Sequence, residues 1–254
     1  MVVNAGTPVV RRPEQVPARP LAPGVTAADM LNDQHGCRGL HQRRLRLAGD
    51  AALTGTAAGQ GEAWYVIRGS GVLDAGAAGT AELRPGTAVW LSSSLGYRCR
   101  GELEMLVIAV RAGAREKERA EDEGPVADDL ADRALRVTTL ESRPVERTGD
   151  REFRVLLSEG LSITQFAGLI PPGRAPEHQH TYDEVVHVLA GQGVVHLGEG
   201  ETEIGPGTSI YLPPQTPHCL ENTGSEPLQV LGVFYPAGSP AAKQATEGGG
   251  LGKT

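Results

Sequence analysis

His178 and His180 stand two residues apart, Glu184 follows four residues later, and His218 comes after a Pro213-Pro214-Gln215 turn. On an extended strand residues i and i+2 project from one face, so the first two imidazoles point the same way. Three imidazoles and one carboxylate meeting at a point make a mixed nitrogen and oxygen donor set that suits Fe(II), Mn(II), Ni(II), Cu(II) or Zn(II). Read instead as ordinary strand residues, the four would carry polar nitrogens and potential charges into an apolar interior with nothing to compensate them. An ion that accepts six ligands keeps two open positions on a four-donor site. Open positions separate catalytic from closed structural sites.

The elements that must hold these donors read as strands. Val185, Val186, Val188 and Leu189 form an apolar run that ends at a Gly191-Gln192-Gly193 turn. Upstream, Phe153, Val155 and Leu157 alternate, and Ile163, Phe166, Leu169 and Ile170 mark a second strand; LQVLGVF, residues 228–234, supplies the last. Gln165 and Tyr182 are candidate pocket groups. His187 has the opposite strand parity to Glu184 and is expected to face away from the pocket. His35, His41 and His196 read as ordinary surface or core histidines.

The segment Gly173–Asn222 resembles the cupin superfamily. Its first motif, G-x5-H-x-H-x3,4-E-x6-G, is met by Gly173, His178, His180, Glu184 and Gly191, and its second, G-x5-P-x-G-x2-H-x3-N, by Gly207, Pro213, His218 and Asn222. Two turns depart from the pattern: four residues separate Gly173 from His178, and Gln215 stands where the motif has glycine. The resemblance implies that His178, His180, Glu184 and His218 are metal ligands, and that Glu184 can also accept a proton in catalysis.

A second copy of the pattern lies upstream. EAWYVIRGSGVL (62–73) lies on EVVHVLAGQGVV (184–195) without a gap, and ELRPGTAVWLSSSLGY (82–97) on EIGPGTSIYLPPQTPH (203–218). The chain reads as an internal duplication, a bicupin. At the positions of the three histidines the first copy carries Thr56, Ala58 and Tyr97, and Glu62 alone survives, so this half is expected to be metal-free and structural. The fold expected is all-β, two cupin (double-stranded β-helix or jelly-roll) barrels in tandem with a short helical linker. Residues 1–30 are expected as an extended arm able to cross onto another subunit, 31–111 as the degenerate barrel and 112–135 as a charged linker with helical turns near 115–123 and 127–135. Residues 136–240 are the metal-binding barrel and 241–254 a flexible tail. The arginines of Leu40–Leu47 (Arg43, Arg44, Arg46) read as a solvated face.

Composition agrees with short strands and turns: 34 glycines and 18 prolines in 254 residues, with 4% aromatics. A formal charge of −7 argues against nucleic acid, and no apolar run reaches membrane-spanning length. Cys37, Cys99 and Cys219 show no CxxC spacing, so no disulfide framework or zinc knuckle is expected. The expected protein is cytoplasmic, with a small-molecule substrate, and a homodimer by family resemblance. Its function is expected to be that of a metal-dependent oxygenase, Fe(II) being the favoured ion. The alternatives are a Mn- or Zn-dependent isomerase, lyase or hydrolase, and a non-catalytic ligand-binding bicupin.

Overall fold

A computed structural model describes residues 6–111 and 134–241. The first half carries β1 (Val9–Arg11), β2 (Arg19–Ala22), β3 (Val25–Leu31), β4 (Leu40–Leu47), β5 (Ala52–Thr56), β6 (Gly61–Asp74), β7 (Thr80–Leu83), β8 (Thr87–Ser92) and β9 (Gly96–Val110). The second carries β10 (Leu135–Thr139), β11 (Glu146–Thr148), β12 (Arg151–Leu157), β13 (Thr164–Ile170), β14 (Gly173–Arg174) and β15 (Asp183–Ala190). It continues with β16 (Gly193–Leu197), β17 (Gly200–Ile204), β18 (Ser209–Leu212), β19 (His218–Asn222) and β20 (Leu228–Tyr235). Short 3-10 turns are the only helical segments among the described residues. The helical turns expected at 115–123 and 127–135 lie outside them, except that Leu135 opens β10, and the expected tail lies outside them beyond residue 241.

The fold is all-β. One sheet runs β10-β8-β6-β9-β4-β3-β2, with β5 on β9 and β7 on β6; a second runs β1-β18-β15-β20-β13-β12-β11, and a third runs β14-β19-β16-β17. Two jelly-roll barrels result, and the backbone repeats from one to the other. A register shift between Val66 and Arg68 in β6 recurs between Val188 and Ala190 in β15, at the matched sequence positions. Left-handed backbone recurs as well, at Ser94 (φ 63°) and at Gln215 (φ 62°), where the second motif has glycine in the cupin pattern. Gly207, at φ 88°, answers to Gly86 at φ 83°. It is also held by packing, since a Cβ there would sit 2.7 Å from Pro13 Cγ.

The two barrels exchange strands. β1 pairs with β18 of the second barrel (Val10 opposite Ile210), and β10 pairs with β8 of the first (Val137 opposite Val89). The expectation of an arm over residues 1–30 is corrected here. Residues 9–11, 19–22 and 25–31 are extended, yet β1 docks within the same chain, and β3 is a largely buried strand hydrogen-bonded to both β2 and β4. The first barrel therefore begins upstream of residue 31. Likewise β10, at the head of the second half, completes the first sheet. The exchange covers edges that would otherwise present unpaired backbone groups.

Three layers of apolar packing follow from strand parity. The first barrel is filled by Leu45, Leu47, Trp64, Val66, Met105 and Val107. A second cluster joins the halves, with Met30, Leu40 and Ile108 from one packed with Leu156, Val185 and Val233 from the other. The second barrel is lined by Val186, Val188, Ile210 and Val230, with a separate aromatic group of Phe153, Phe166, Tyr182 and Phe234. Arg43 and Arg46 of β4 are exposed, as expected of a solvated face, and Arg44 is half-buried; all three also pair with acids. Arg44 and Arg46 bond the buried Glu104 at 2.6 and 3.1 Å together with Arg68, and Arg43 meets Asp29 at 2.9 Å.

Candidate metal centre

His178, His180 and His218 converge in the second barrel, their candidate ligand atoms all within 4.8 Å of one another. The ring centroids are 4.9 Å apart for His178 and His180, 4.4 Å for His178 and His218, and 5.3 Å for His180 and His218. Glu184, on β15, brings Oε2 to 3.4 Å from His180 Nε2 and 3.6 Å from His218 Nε2. The route differs from the regular strand expected for His178 and His180. His178 instead forms an isolated antiparallel bridge with His218, exchanging backbone hydrogen bonds of 3.0 and 2.9 Å. His180 is tied by its carbonyl to the Gln215 N–H at 2.6 Å. Both restraints draw the distant turn that carries His218 onto the His178–His180 loop.

Hydrogen bonds select the tautomers. His178 Nδ1 lies 3.0 Å from the Pro176 carbonyl and His218 Nδ1 2.8 Å from the Thr216 carbonyl. A carbonyl only accepts, so each Nδ1 carries the proton and each Nε2 keeps its lone pair for a ligand. Burial pushes the His180 imidazole down to about 3 and His218 down to about 4, with the neighbouring histidines adding to the effect. His178 is lowered chiefly by burial, its bond to Pro176 acting the other way. Burial pushes the Glu184 carboxyl up to about 8. Glu184 Oε2 and His180 Nδ1 are buried without a hydrogen-bond partner. Neutral imidazoles, aligned lone pairs and an orphaned carboxylate oxygen fit a divalent transition metal, whose charge would stabilise the ionised carboxylate.

A cavity of about 90 Å³ opens beside these groups. Its walls are mostly apolar, among them Phe153, Phe166, Ile170, Leu220, Val230 and Phe234, and Thr148, Arg151 and Glu152 also line it. Neither of the two pocket residues named from sequence lines it. Gln165 alternates with Phe166 on β13, so its fully buried side chain leaves the cavity face, and both its amide atoms lack partners. Tyr182 lies inside the barrel as a support: its ring stacks on His180 at 4.8 Å and 14° and meets Phe234 at 4.5 Å. Arg151 was missed. The signal lay in its alternation with Phe153 and Val155, which places it on the inward face of β12.

The other histidines are held elsewhere. His187 faces the seam between the barrels, with Nδ1 2.9 Å from Ser209 Oγ, and burial pushes it down to about 3. His196 meets Glu221 at 2.8 Å, His41 meets Asp33 at 2.9 Å, and His35 accepts the Asn32 N–H at 3.3 Å. Cys37, Cys99 and Cys219 are buried thiols. Among the described residues no helix is long and apolar enough to cross a membrane.

In the first barrel Glu62 occupies the place of Glu184 and is satisfied. It accepts from Trp64 Nε1 at 3.0 Å and from the Ala58 N–H at 3.1 Å. Burial raises its carboxyl while these bonds act to lower it. Tyr97, at the place of His218, packs edge-on against Trp64 at 4.8 Å.

A Cupin domain family model matches residues 167–234. An uncharacterized protein of Methanocaldococcus jannaschii is 34% identical over 91 residues, 35% of this chain and 70% of that protein. Auxin-binding protein 1 of Arabidopsis thaliana is 36% identical over 73 residues, so the match spans 25% of this chain and only 37% of that relative. Among solved structures, oxalate decarboxylase from Bacillus subtilis at pH 4.6 superimposes with a TM-score of 0.69 at 15% identity, covering 94% of this chain and 78% of that one. Another structure of that enzyme, described for its Mn(II) centres, covers 92% and 78% with a TM-score of 0.68 at 15% identity.

Proposed function

This chain belongs to the cupin superfamily, and from that premise we propose that it is a bicupin enzyme. In this reading its second barrel holds a divalent transition metal on His178, His180, His218 and Glu184 and acts on a small organic molecule. The observation behind this reading is a buried Glu184 oxygen with no partner beside two buried imidazoles and one half-buried one, whose candidate ligand nitrogens gather there. A bound ion supplies Lewis acidity and open positions for a substrate oxygen or for dioxygen. The chain's own groups do the rest. Tyr182 and the backbone bond to Gln215 orient His180, the Pro176 and Thr216 carbonyls set the tautomers of His178 and His218, and the aromatic walls exclude water. In the same reading the Glu184 carboxylate, which would hold the ion through Oε2, also takes and returns a proton, the catalytic role expected for it.

The first reaction class is oxygenation with Fe(II). A second reading, a Mn-dependent lyase, is favoured by the likeness to an oxalate decarboxylase whose Mn(II) centres are described. The experiment is metal analysis followed by turnover on matched Fe(II) and Mn(II) forms. Oxygen uptake by the Fe(II) form on a panel of catechols, diketones and amino acids supports oxygenation, and carbon dioxide release from carboxylic acids by the Mn(II) form supports the lyase. Stoichiometric metal with tight ligand binding and no turnover in either form would identify a non-catalytic binding protein. A chain that takes up neither ion refutes the metal centre.

A further inference from the structure

The second barrel's cavity has an unused cationic group. Arg151 opens β12 directly after the Gly149-Asp150 turn, shares the inward face with Phe153, and lines the same cavity as the three histidines. Its Nε is buried with no hydrogen-bond partner. The acid nearest to it in sequence, Glu152, also lines the cavity, and its carboxylate is engaged by Arg147 at 3.0 and 2.6 Å rather than by Arg151. Arg151 stands in a largely apolar lining with no acid bonded to it, close enough for its charge to be felt at His178 and His180. A guanidinium stays protonated at any accessible pH and offers a planar fork matched to two oxygens. Neutral imidazoles do not offset its charge. A divalent ion with one glutamate adds a further net positive charge on the same cavity, so both states call for an anion from outside.

We propose that Arg151 is the specificity-determining anchor of this cavity, selecting small molecules that carry one carboxylate or similar planar oxyanion on an apolar body. The cavity's small size and apolar walls set the body, and Arg151 sets the charged end. The proposal deepens the enzyme reading of the same site and rests on it for the role of the bound molecule as substrate, though the anion preference itself does not need the metal.

The test uses the full chain and two probes of one shape, benzoate and benzamide, with binding measured by calorimetry on metal-stripped and on Mn(II)-loaded protein. The wild-type stripped protein is expected to prefer benzoate by about tenfold or more, as for a hydrogen bond to a charged group. Raised salt should weaken that preference less than it would an exposed pair. Arg151→Gln should abolish the preference in the stripped protein and Arg151→Lys should retain part of it, while Arg147→Gln changes neither. Equal affinity for the two probes in the wild-type stripped protein, absence of binding included, overturns the proposal, as does a preference that survives Arg151→Gln. A benzoate preference in a chain that holds no metal leaves the anchor standing and removes the enzyme reading. Metal uptake with no preference does the reverse.

Discussion

Glu62 and Glu184 occupy one position in two copies of one fold, and their surroundings differ in kind. Glu62 is closed by an indole N–H and a backbone N–H. Glu184 has the same burial, a raised pKa, an oxygen with no partner and three imidazoles at hand. Buried polar groups are normally satisfied, so an orphan that persists beside lone pairs marks a place where something else completes the bonding. The first barrel shows what the fold does when that something is dispensed with: Tyr97 and Trp64 fill the space with rings. Retaining a carboxylate alone is thus no sign of a site. Its unmet bonds are.

Five measurements break or sharpen this contrast. The largest effect is expected from the ligands themselves. His180→Ala or His218→Ala should lower metal affinity by more than about 100-fold, beyond what the loss of a supporting residue causes, whereas Thr56→Ala and Tyr97→Phe leave metal content unchanged; elemental analysis and competition titration decide it. Next, an ion at 100 times its dissociation constant should raise stability by about 2.7 kcal/mol, read as a shift in Tm. Glu184→Gln should lose most of that shift and Glu62→Gln none of it.

Third, Glu62→Ala strands two donors and should cost about 1–3 kcal/mol in denaturant unfolding with no change in metal content. The pH profile of the metal-free protein separates the two acids further. The folded state keeps a proton on Glu184 that the unfolded chain has lost, so that stabilisation is complete below the ordinary value of 4.5 and is lost as pH rises through about 8. His180 and His218 act oppositely. Their folded values of about 3 and about 4 lie below the ordinary 6.5, so stability falls as pH drops from 6.5 toward those values. Stability should therefore peak near pH 6.5, and Glu184→Gln should flatten the alkaline side. A bound ion should remove the alkaline decline by keeping Glu184 ionised. A decline unchanged by Glu184→Gln would show that the carboxyl is not buried as described. The smallest effect is shared: Ser94→Gly and Gln215→Gly each relieve left-handed backbone and should stabilise by about 1 kcal/mol, equally in the two barrels.

Much of the site was legible because metal chemistry constrains residue types and spacing. His178, His180, Glu184 and His218 could be named from residue types, spacing and the resemblance to the cupin motifs, and the structure brings them together. The pocket was less legible. Gln165 was named for its polarity, but polarity does not reveal a strand's face, and parity carries it away from the cavity. Tyr182 has inward parity, yet the stacking on His180 that turns it from lining into support is a matter of packing. Arg151 lay far upstream of the motifs and could be found only by following the alternation of β12 onto the barrel's inner face.

Residues 1–30 teach the same lesson at the level of topology. Proline-rich extended sequence reads as an arm, and its destination depends on which edge strand lies within reach. Here β18 of the same chain is that edge, and β10 returns the exchange to β8. Local spacing could establish the duplication, the all-β class and which half lost its imidazoles, because each is written in residue types at fixed intervals. The exchanged edges, the paired and unpaired fates of two like carboxylates and the guanidinium in the apolar cavity were decided by tertiary packing. They depend on what meets a side chain across space, and no interval along the chain records that.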